Sequence, residues 1–321
     1  MPFNTQMSRA NFPPLLAPGL RHIFVQFLDL KQRKPQYEYY LNEMQSEDAY
    51  EIDYELSGTG PMPEMPEGTR PIADGIVQGN TKKYVHLQYG LLSQATRQLI
   101  ADDKYGIIKQ IPKSHGRGAL FGREAVSCSV FNLGGTTLTT NTGVSLFNTQ
   151  QPLLGGTEAT NYAPGVSNII SASGTYPNRP NPDADLSFTS LQQAINIFTR
   201  MPDGRGIPVH VQPRHLVHPP ELRWIVRELL GTPGKPGTTD NDINSLLADN
   251  LQGLELNYLT SPSAWFLIAD KEGHQMKFYE REPIMAQTDD DFATQVLMFL
   301  STQRFSVGAT TWYGTFGSYG P

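Results

Sequence analysis

The sequence contains a single cysteine, Cys128, among 321 residues. One cysteine cannot form an intrachain disulfide, and it cannot supply the thiolate cluster of a structural zinc site. No stretch approaches the roughly 18 apolar residues of a membrane-spanning helix, and the first residues lack the basic-then-apolar pattern of a secretion signal. We therefore expect a soluble protein, cytoplasmic where it is made, with no membrane partner.

Basic residues are not in surplus either. The chain has 25 Lys and Arg against 31 Asp and Glu, which gives a formal net charge of −6. A protein that coats nucleic acid neutralises its phosphates with basic side chains, so this balance argues against such a role, although it allows a protein that merely encloses nucleic acid. The chain has 29 glycines and 25 prolines. Together they make up about 17% of the residues, against about 12% in an average protein. This excess predicts many loops and extended arms around a smaller core.

The motifs of catalysis and cofactor binding are also missing. The glycine-rich residues 116–122 match neither the GxxxxGK[ST] nor the GxGxxG pattern, and no GxSxG or HExxH occurs. His210, His215 and His218 could be weighed as metal ligands, but two of them flank prolines and no carboxylate stands at ligand spacing before Glu221. The acidic residues 289–291 lack the spacing of a calcium loop and predict a solvated turn. We expect no catalytic residue, no cofactor and no metal.

Residues 265–321 carry the clearest strand pattern. Residues 265–269 form an apolar run, 271–274 a polar turn, and 275–280 alternate well enough to be its hairpin partner. The run 294–307 is apolar at every central position, which predicts a strand covered on both faces. Glycines and aromatic residues then alternate to the end of the chain. The pattern predicts an antiparallel sheet followed by a packed tail.

Two segments upstream look too extended to fold alone. Residues 1–36 hold five prolines around a short apolar patch, and residues 50–89 read as two strands joined by a Gly/Pro-rich tip. Apolar spacing predicts a helix over 91–111, continued by a second helical piece at 119–131. Further predictions are a loop over 132–182, a helix capped at Ser187 or Thr189, a helix starting at Pro219 and Pro220, and strands at 207–211 and 254–259. Together these elements indicate an α+β protein.

This order of elements resembles the major capsid proteins of tailed bacteriophages, among them the Mu-like major head subunit group. Each matching piece is weakly specific, but their order over residues 90–317 is specific, whereas the first 90 residues match only in pattern. The pieces are LFNT at 146–149, DGRGIP at 203–208, PRHLVHPPEL at 213–222, NDIN at 241–244, AWFL at 264–267, EREP at 280–283, RFSVG at 304–308 and YGTFGS at 313–318.

The resemblance implies the Hong Kong 97-like capsid fold. Its parts would be an N-terminal arm at 1–36 and an extended hairpin, the E-loop, at 50–89. A peripheral domain with a long spine helix and an antiparallel sheet would comprise 90–184 and 270–304. An axial domain would comprise 185–269 and 305–321. The chain departs from the pattern at Gln150 and Gln151, where related sequences often carry a histidine, and Lys82 and Lys83 lie in no motif for covalent cross-linking.

The implied function is structural. Copies would assemble as pentamers and hexamers into the icosahedral shell that encloses the double-stranded DNA genome of a tailed phage. The shell would be part of the virion, be assembled in the bacterial host cytoplasm, and hold DNA without sequence-specific binding. Portal, scaffolding and decoration proteins are expected partners, with the scaffold a separate protein because the N-terminus leaves no room for a scaffolding extension. Candidate inter-subunit contacts are Phe24, Phe27, Tyr54, Met62, Met65, Arg70, Glu280, Arg281 and Asp290.

Two other hypotheses stay open at this point. An encapsulin-like compartment would share the fold and enclose enzymes instead of a genome. A metal-dependent enzyme would use the three histidines at 210, 215 and 218. The contents of purified particles distinguish the first from a phage head, and metal analysis tests the second.

Overall fold

The computed structural model describes residues 13–29, 35–59, 62, 64–71, 73–102, 106, 108–153, 175–203, 206–234, 243–291 and 296–320. Within these ranges, strands alternate with helices and short 3-10 turns. The helices are α1 (Pro13–Asp29), α2 (Arg97–Ala101), α3 (Gln110–Asn132), α4 (Phe188–Thr199) and α5 (Arg223–Gly231). The strands are β1 (Asn42–Gln45), β2 (Tyr50–Ser57), β3 (Val77–Val85), β4 (Leu87–Thr96), β5 (Gln151–Pro152), β6 (Thr175–Tyr176), β7 (His215–His218), β8 (Gln252–Glu255), β9 (Trp265–Ile268), β10 (Met276–Asp291), β11 (Val296–Ala309) and β12 (Thr315–Ser318).

A first sheet has the strand order β1-β10-β11-β4. Its centre is the long antiparallel pair β10 and β11, and α3 packs along one face. On that face His115 of α3 contacts the ring of Phe299, and Arg123 Nε donates to Gln303 Oε1 at 2.8 Å. Burial along β11 alternates between buried and half-buried. One face of β11 is therefore buried and the other half-buried, so the predicted cover on both faces is confirmed only in part.

A second sheet has the strand order β12-β9-β7-β8. All four residues of β9 are buried. Strands β12 and β7 pair with its two edges, and its side chains pack in the main core, as the ring contacts of Trp265 with Phe316 and of Phe266 with Phe131 show. The predicted hairpin between 265–269 and 275–280 is wrong, since the second of these segments enters the first sheet as the start of β10. Alternation along a strand shows that it pairs but does not show with which strand. The mixture of two sheets and packed helices confirms the α+β class.

Helix positions follow the sequence only in part. The predicted helix over 91–111 is wrong as far as residue 96, where β4 runs, and is confirmed only at α2 and at the start of α3. Of its spaced apolar residues Ala95 is buried, whereas Leu92 and Leu99 are half exposed. The piece at 119–131 is confirmed inside α3, which tolerates Pro112 in its first turn. Ser187 caps α4 as predicted, and α5 begins at Arg223, after a 3-10 turn at Pro220–Leu222.

The strands near the three histidines differ from the predicted ones. The expected strand at 207–211 is only an isolated bridge between Pro202 and Pro208, and His210 has a positive φ of 52°. The strand lies instead at His215–His218, where sequence reasoning placed none. The strand predicted at 254–259 runs from Gln252 to Glu255. Residues 154–174, 204–205 and 235–242 fall outside the described residues, including part of the predicted loop and of the NDIN stretch.

The N-terminal segment folds onto its own chain over its described part, which corrects the prediction that it cannot. Helix α1 packs on α3, and Phe24 is 1% exposed with its ring 5.9 Å from that of Phe299. The ring of Phe27 lies so close to Gly116 that a Cβ there would be 2.8 Å from it. Residues 1–12 and 30–34 of the predicted arm lie outside the described residues.

The main core lies between the two sheets and the end of α3. Phe131 is fully buried, with ring centroids of Tyr40 at 5.1 Å, Phe147 at 6.5 Å and Phe266 at 5.0 Å. Gly317 of β12 lets these rings approach, because a Cβ there would lie 2.6 Å from Phe266 and 2.8 Å from Phe147. The aromatic residues of the tail are thus core residues, as the sequence predicts.

Candidate assembly interface

The three histidines weighed as metal ligands do not form a cluster. His210 is exposed, His215 is half-buried, and His218 is buried with Nδ1 2.8 Å from the carbonyl oxygen of Pro219. In the described part of the chain, no group of three or more His, Cys, Asp or Glu side chains is placed to hold a metal ion. Over the same residues no helix is both long and apolar enough to cross a membrane.

The hairpin of β2 and β3 exposes its apolar side chains and buries its carboxylates, which is the reverse of the pattern expected for a free monomer. Strands β2 and β3 pair antiparallel, as predicted for this region. Tyr50, Ile52, Tyr54 and Leu56 are 45%, 53%, 50% and 59% exposed, while Glu55 between them is 4% exposed. We call these four residues, with the facing Thr81, Lys83 and Val85, the outward hairpin face. In a monomeric protein, carboxylates normally face solvent and apolar side chains normally face the core.

The opposite side of the hairpin carries acidic residues that are bonded to the body of the chain. Asp53 accepts hydrogen bonds from Lys277 Nζ and Thr310 Oγ1. Glu55 accepts them from Asn141 Nδ2 at 2.7 Å and from the Tyr313 hydroxyl. We call Asp53 and Glu55 the underside carboxylates. Because their partners belong to the packed body, these bonds hold the apolar face toward solvent.

The two lysines considered for cross-linking lie on opposite faces of β3. Lys82 Nζ donates to the carbonyl oxygen of Thr139 at 2.6 Å, and burial lowers the pKa of Lys82. Lys83 lies on the outward face, 3.9 Å above the ring centre of Tyr50. Only Lys83 is therefore placed toward a neighbouring molecule.

The predicted inter-subunit residues fall into exposed and bonded groups. Tyr54 belongs to the outward hairpin face, and Met62, Met65 and Arg70 are exposed in the loop between β2 and β3, with Met62 at 99%. Asp290 is exposed at the end of β10, so residues 289–291 end a strand, which corrects the predicted turn. These five side chains are available to a neighbour, and their contacts stay a prediction.

The remaining four predicted contacts have partners in their own chain. Phe24 and Phe27 pack against the first sheet and α3, as described above. Glu280 accepts from Arg123 Nη2 at 2.6 Å and from Gln45 Nε2 at 2.9 Å. Arg281 is half-buried and donates from Nη1 to the carbonyl oxygen of Ser46 at 3.3 Å. These residues support the fold of one subunit in this structure.

Sequence reasoning missed a second apolar surface. On the side of the first sheet away from α3, Leu92 is 52% exposed and Met285 is 39% exposed, and Val296, Met298 and Leu300 are half-buried. We call these five residues the outer sheet face. A period-two signal exists in β11, but it is hidden because residues 296–300 are apolar at every position.

A buried histidine at the start of β10 predicts a measurable pH dependence. His274 is 3% exposed, and burial, followed by the charges of His215 and Lys271, lowers its pKa to about 4. Its contribution to stability is therefore complete above the unfolded pKa of about 6.5 and is lost as pH falls toward about 4. Between pH 7 and pH 5 the unaltered chain should lose roughly 2 kcal/mol of unfolding free energy through His274. His274→Gln has no group to titrate at this position, so its unfolding free energy should fall by roughly 2 kcal/mol less over the same range.

Urea unfolding of the soluble subunit at the two pH values measures this difference. The matched control is His22→Gln, since His22 is exposed on α1. An unchanged pH dependence in His274→Gln would show that His274 is not the titrating group.

Comparison with solved structures defines the class of protein. The capsid of cyanophage P-SCSP1u matches with a TM-score of 0.56 at 10% identity, over 89% of this chain and 88% of that one. The capsid of bacteriophage JBD30, decorated with minor capsid protein trimers, matches with a TM-score of 0.52 at 16% identity, over 72% and 92%. A virus-like particle from Pyrococcus furiosus matches with a TM-score of 0.51 at 8% identity, over 94% and 99%. The fold is that of shell-forming subunits of the Hong Kong 97-like type.

The sequence itself narrows this class. Residues 79–316 match the profile of the phage capsid protein family, and the chain belongs to that family. The predicted resemblance to tailed-phage major capsid proteins is thereby confirmed, and the chain is a major capsid protein that forms the shell of the virion. No curated protein matches this chain in sequence. Members of the family and fold are structural proteins.

Proposed function

We propose that copies of this chain assemble as pentamers and hexamers into the icosahedral head of a tailed phage, held together in part by the outward hairpin face. The observation that carries this proposal is the inverted hairpin, with four large apolar side chains exposed above bonded carboxylates. Complete burial of an exposed side chain of this size contributes about 1.5–3 kcal/mol. Because these four are only about half exposed, burying what remains gives roughly 3–6 kcal/mol in all. One hairpin therefore offsets only part of the entropic cost of association, and a stable shell needs further contacts per subunit.

We assign the domains as the sequence predicts. The peripheral domain is 90–184 with 270–304, the axial domain is 185–269 with 305–321, and the N-terminal arm and E-loop are 1–36 and 50–89. The two separate sheets support a division of this kind, since the chain passes between them after β9 and again after β11. Because β11 stays in the first sheet as far as Ala309, the sheets favour a second boundary nearer 309 than 304. The return strand of the E-loop ends at Val85, and Leu87 already belongs to the first sheet.

The proposed contents of the shell are double-stranded DNA, held without sequence-specific binding. The net charge of −6 supports this, because a phosphate-coating protein would be basic. Decoration proteins are proposed partners by analogy with the decorated JBD30 capsid. Portal and scaffolding proteins, and assembly in the host cytoplasm, follow from the proposed role in the head. An enzyme-filled compartment with the same fold is the second candidate, and the likeness to the virus-like particle from Pyrococcus furiosus supports a closed shell of either kind.

Electron microscopy of the expressed chain tests the proposal. We expect closed, hollow particles when the chain is expressed with its scaffold, or alone if no scaffold is needed. A chain that stays monomeric under both conditions would refute the shell. DNA that resists nuclease inside particles from infected cells supports the phage head, whereas a co-purifying cargo protein and no DNA would support the compartment.

A further inference from the structure

The chain enters and leaves the hairpin of β2 and β3 at one place, which we call the hairpin root and define by Ser46, Glu51, His86 and Ser306. Strands β2 and β3 form a two-stranded sheet of their own, whereas β4 belongs to the first sheet. His86 is the one residue between β3 and β4. A two-stranded hairpin is marginally stable alone, so its position relative to the first sheet depends on its attachments.

The ring of His86 joins both ends of the hairpin to the first sheet. Its Nε2 lies 3.0 Å from Ser46 Oγ, directly after β1, and its Nδ1 lies 3.0 Å from Ser306 Oγ on β11. Ser46 Oγ also donates to Glu51 Oε1 of β2 at 2.6 Å. The two serines and the histidine are all buried, so water has little access to these bonds.

The contacts of the hairpin root determine which ring nitrogen carries the proton of the neutral imidazole. A serine hydroxyl has one hydrogen, and that of Ser46 goes to Glu51, so Ser46 Oγ can only accept from His86 Nε2. His86 Nδ1 then carries the lone pair and accepts from the Ser306 hydroxyl. A second proton binds at Nδ1, so it forces the bond to Ser306 to reverse and places a charge at a buried position.

The charged and titratable groups around the ring come from three strands. Burial is the main cause that lowers the pKa of His86, and the guanidinium groups of Arg304 on β11 and Arg281 on β10 lower it further. The Glu51 carboxylate on β2 acts in the opposite direction. The ring centroid of Tyr279 on β10 lies 6.4 Å from that of His86, and Tyr279 is neutral because burial raises its pKa to about 12. The neutral imidazole is thus the form that fits the closed root.

We propose that His86 is a proton-sensitive latch, whose neutral ring holds the hairpin root closed and whose protonated ring releases it. In an open root, water solvates the imidazolium, so the pKa of His86 returns to its ordinary value of about 6.5. The closed root is therefore fully favoured above about pH 6.5, and this preference is lost as pH falls toward the lower pKa of the closed root. The latch acts within one subunit and does not depend on the proposed function.

Hydrogen–deuterium exchange of the soluble subunit at pH 7 and pH 5 tests the latch, with rates corrected for the intrinsic pH dependence of exchange. Amides of α4 are the internal reference, because they report changes in global stability. Relative to them, amides of β2 and β3 should lose about threefold or more of their protection at pH 5, since each unit of pKa difference gives up to a factor of about ten.

Two variants with the same chemical change separate the latch from other titrating groups. His86→Gln keeps a donor and an acceptor but cannot titrate, so the relative protection of its hairpin should be the same at both pH values. The matched control is His115→Gln, because His115 is also buried between two serine hydroxyls, Ser93 Oγ at 2.7 Å and Ser301 Oγ at 3.0 Å. These three residues lie on α3, β4 and β11 and not on the hairpin, so the control should keep the full response.

A response that survives in His86→Gln, or that is lost equally in His115→Gln, would overturn the latch, as would an unaltered chain whose hairpin shows no response. A second measurement needs no variant to fold. Titration of the His86 ring in the unaltered subunit by NMR should give a pKa below about 6.5, and a higher value would overturn the proposal. Because all these measurements use soluble subunits, failure of the latch leaves the proposed shell intact, and a chain that forms no shell leaves the latch intact.

Discussion

A chain with Phe131→Ala should lose about 3–5 kcal/mol of unfolding free energy, the range for removing a fully buried phenylalanine. Phe131 is 0% exposed at the end of α3, where its ring contacts those of Tyr40, Phe147 and Phe266. These three partners come from separate segments of the chain, so the cavity left by alanine cannot collapse without moving β9 and the segments that carry Tyr40 and Phe147. Native domains are stable by only about 5–15 kcal/mol, so the variant should be marginal.

The measurement is urea unfolding of the soluble subunit, followed by circular dichroism. Helix α3 offers its own control, because Phe121 lies on the same helix and is 50% exposed. Phe121→Ala makes the same chemical change with little burial, so it should cost less than about 1 kcal/mol. Equal losses in the two variants would show that the helix, and not the core around Phe131, limits stability.

The sequence predicts correctly those elements that are determined by residues close together in the chain. The cap of α4 is an example, since Ser187 and Ser190 are three residues apart and bond each other's backbone N–H groups. The helix at 119–131 and the aromatic tail are others. In contrast, Leu92, Ala95, Leu99 and Ile100 fit a helical spacing although the first two lie on a strand. Short apolar runs fit both periods, and the tertiary partner decides between them.

The partners of strands could not be read from alternation. Residues 265–268 predict a strand correctly, but its neighbours, β12 and β7, lie about fifty residues away on either side. The sequence favours a local hairpin with 275–280, because closing a short loop costs less conformational entropy than closing a long one. The second sheet is therefore a finding of the structure. The resemblance to capsid proteins implies one antiparallel sheet, in the peripheral domain, and does not fix its pairing.

The candidate interface is a second case in which local alternation does not predict the tertiary arrangement. Alternation in β2 predicted a two-faced strand, and ordinary patterning would turn its carboxylates to water. The structure turns them inward because Asn141, Lys277, Thr310 and Tyr313, all more than eighty residues away, bond to them. No spacing within residues 50–56 encodes these partners. Which face of the hairpin is free for assembly is thus a tertiary property.

The underside carboxylate Glu55 should therefore control the orientation of the whole hairpin. Glu55 is 4% exposed and accepts hydrogen bonds from Asn141 Nδ2 and the Tyr313 hydroxyl. A hydrogen bond to a charged group contributes about 1.5–3 kcal/mol, so Glu55→Ala should weaken the attachment of the hairpin by roughly 3 kcal/mol or more. Backbone amides of β2 and β3 should then exchange with solvent about a hundredfold faster, because each 1.4 kcal/mol is a factor of about ten.

Hydrogen–deuterium exchange of the soluble subunit measures the effect by region. Amides in α3 should stay protected in Glu55→Ala, since that helix packs mainly on α1 and β11 and the hydrogen-bond partners of Glu55 lie outside it. Glu64→Ala is the matched control, because Glu64 is an exposed glutamate in the loop between the same two strands. If Glu55→Ala and Glu64→Ala protect β2 and β3 equally, the carboxylate bonds do not hold the hairpin. If Glu55→Ala alone loosens it, hydrogen bonds on the underside of the hairpin help to hold its apolar face toward neighbouring copies.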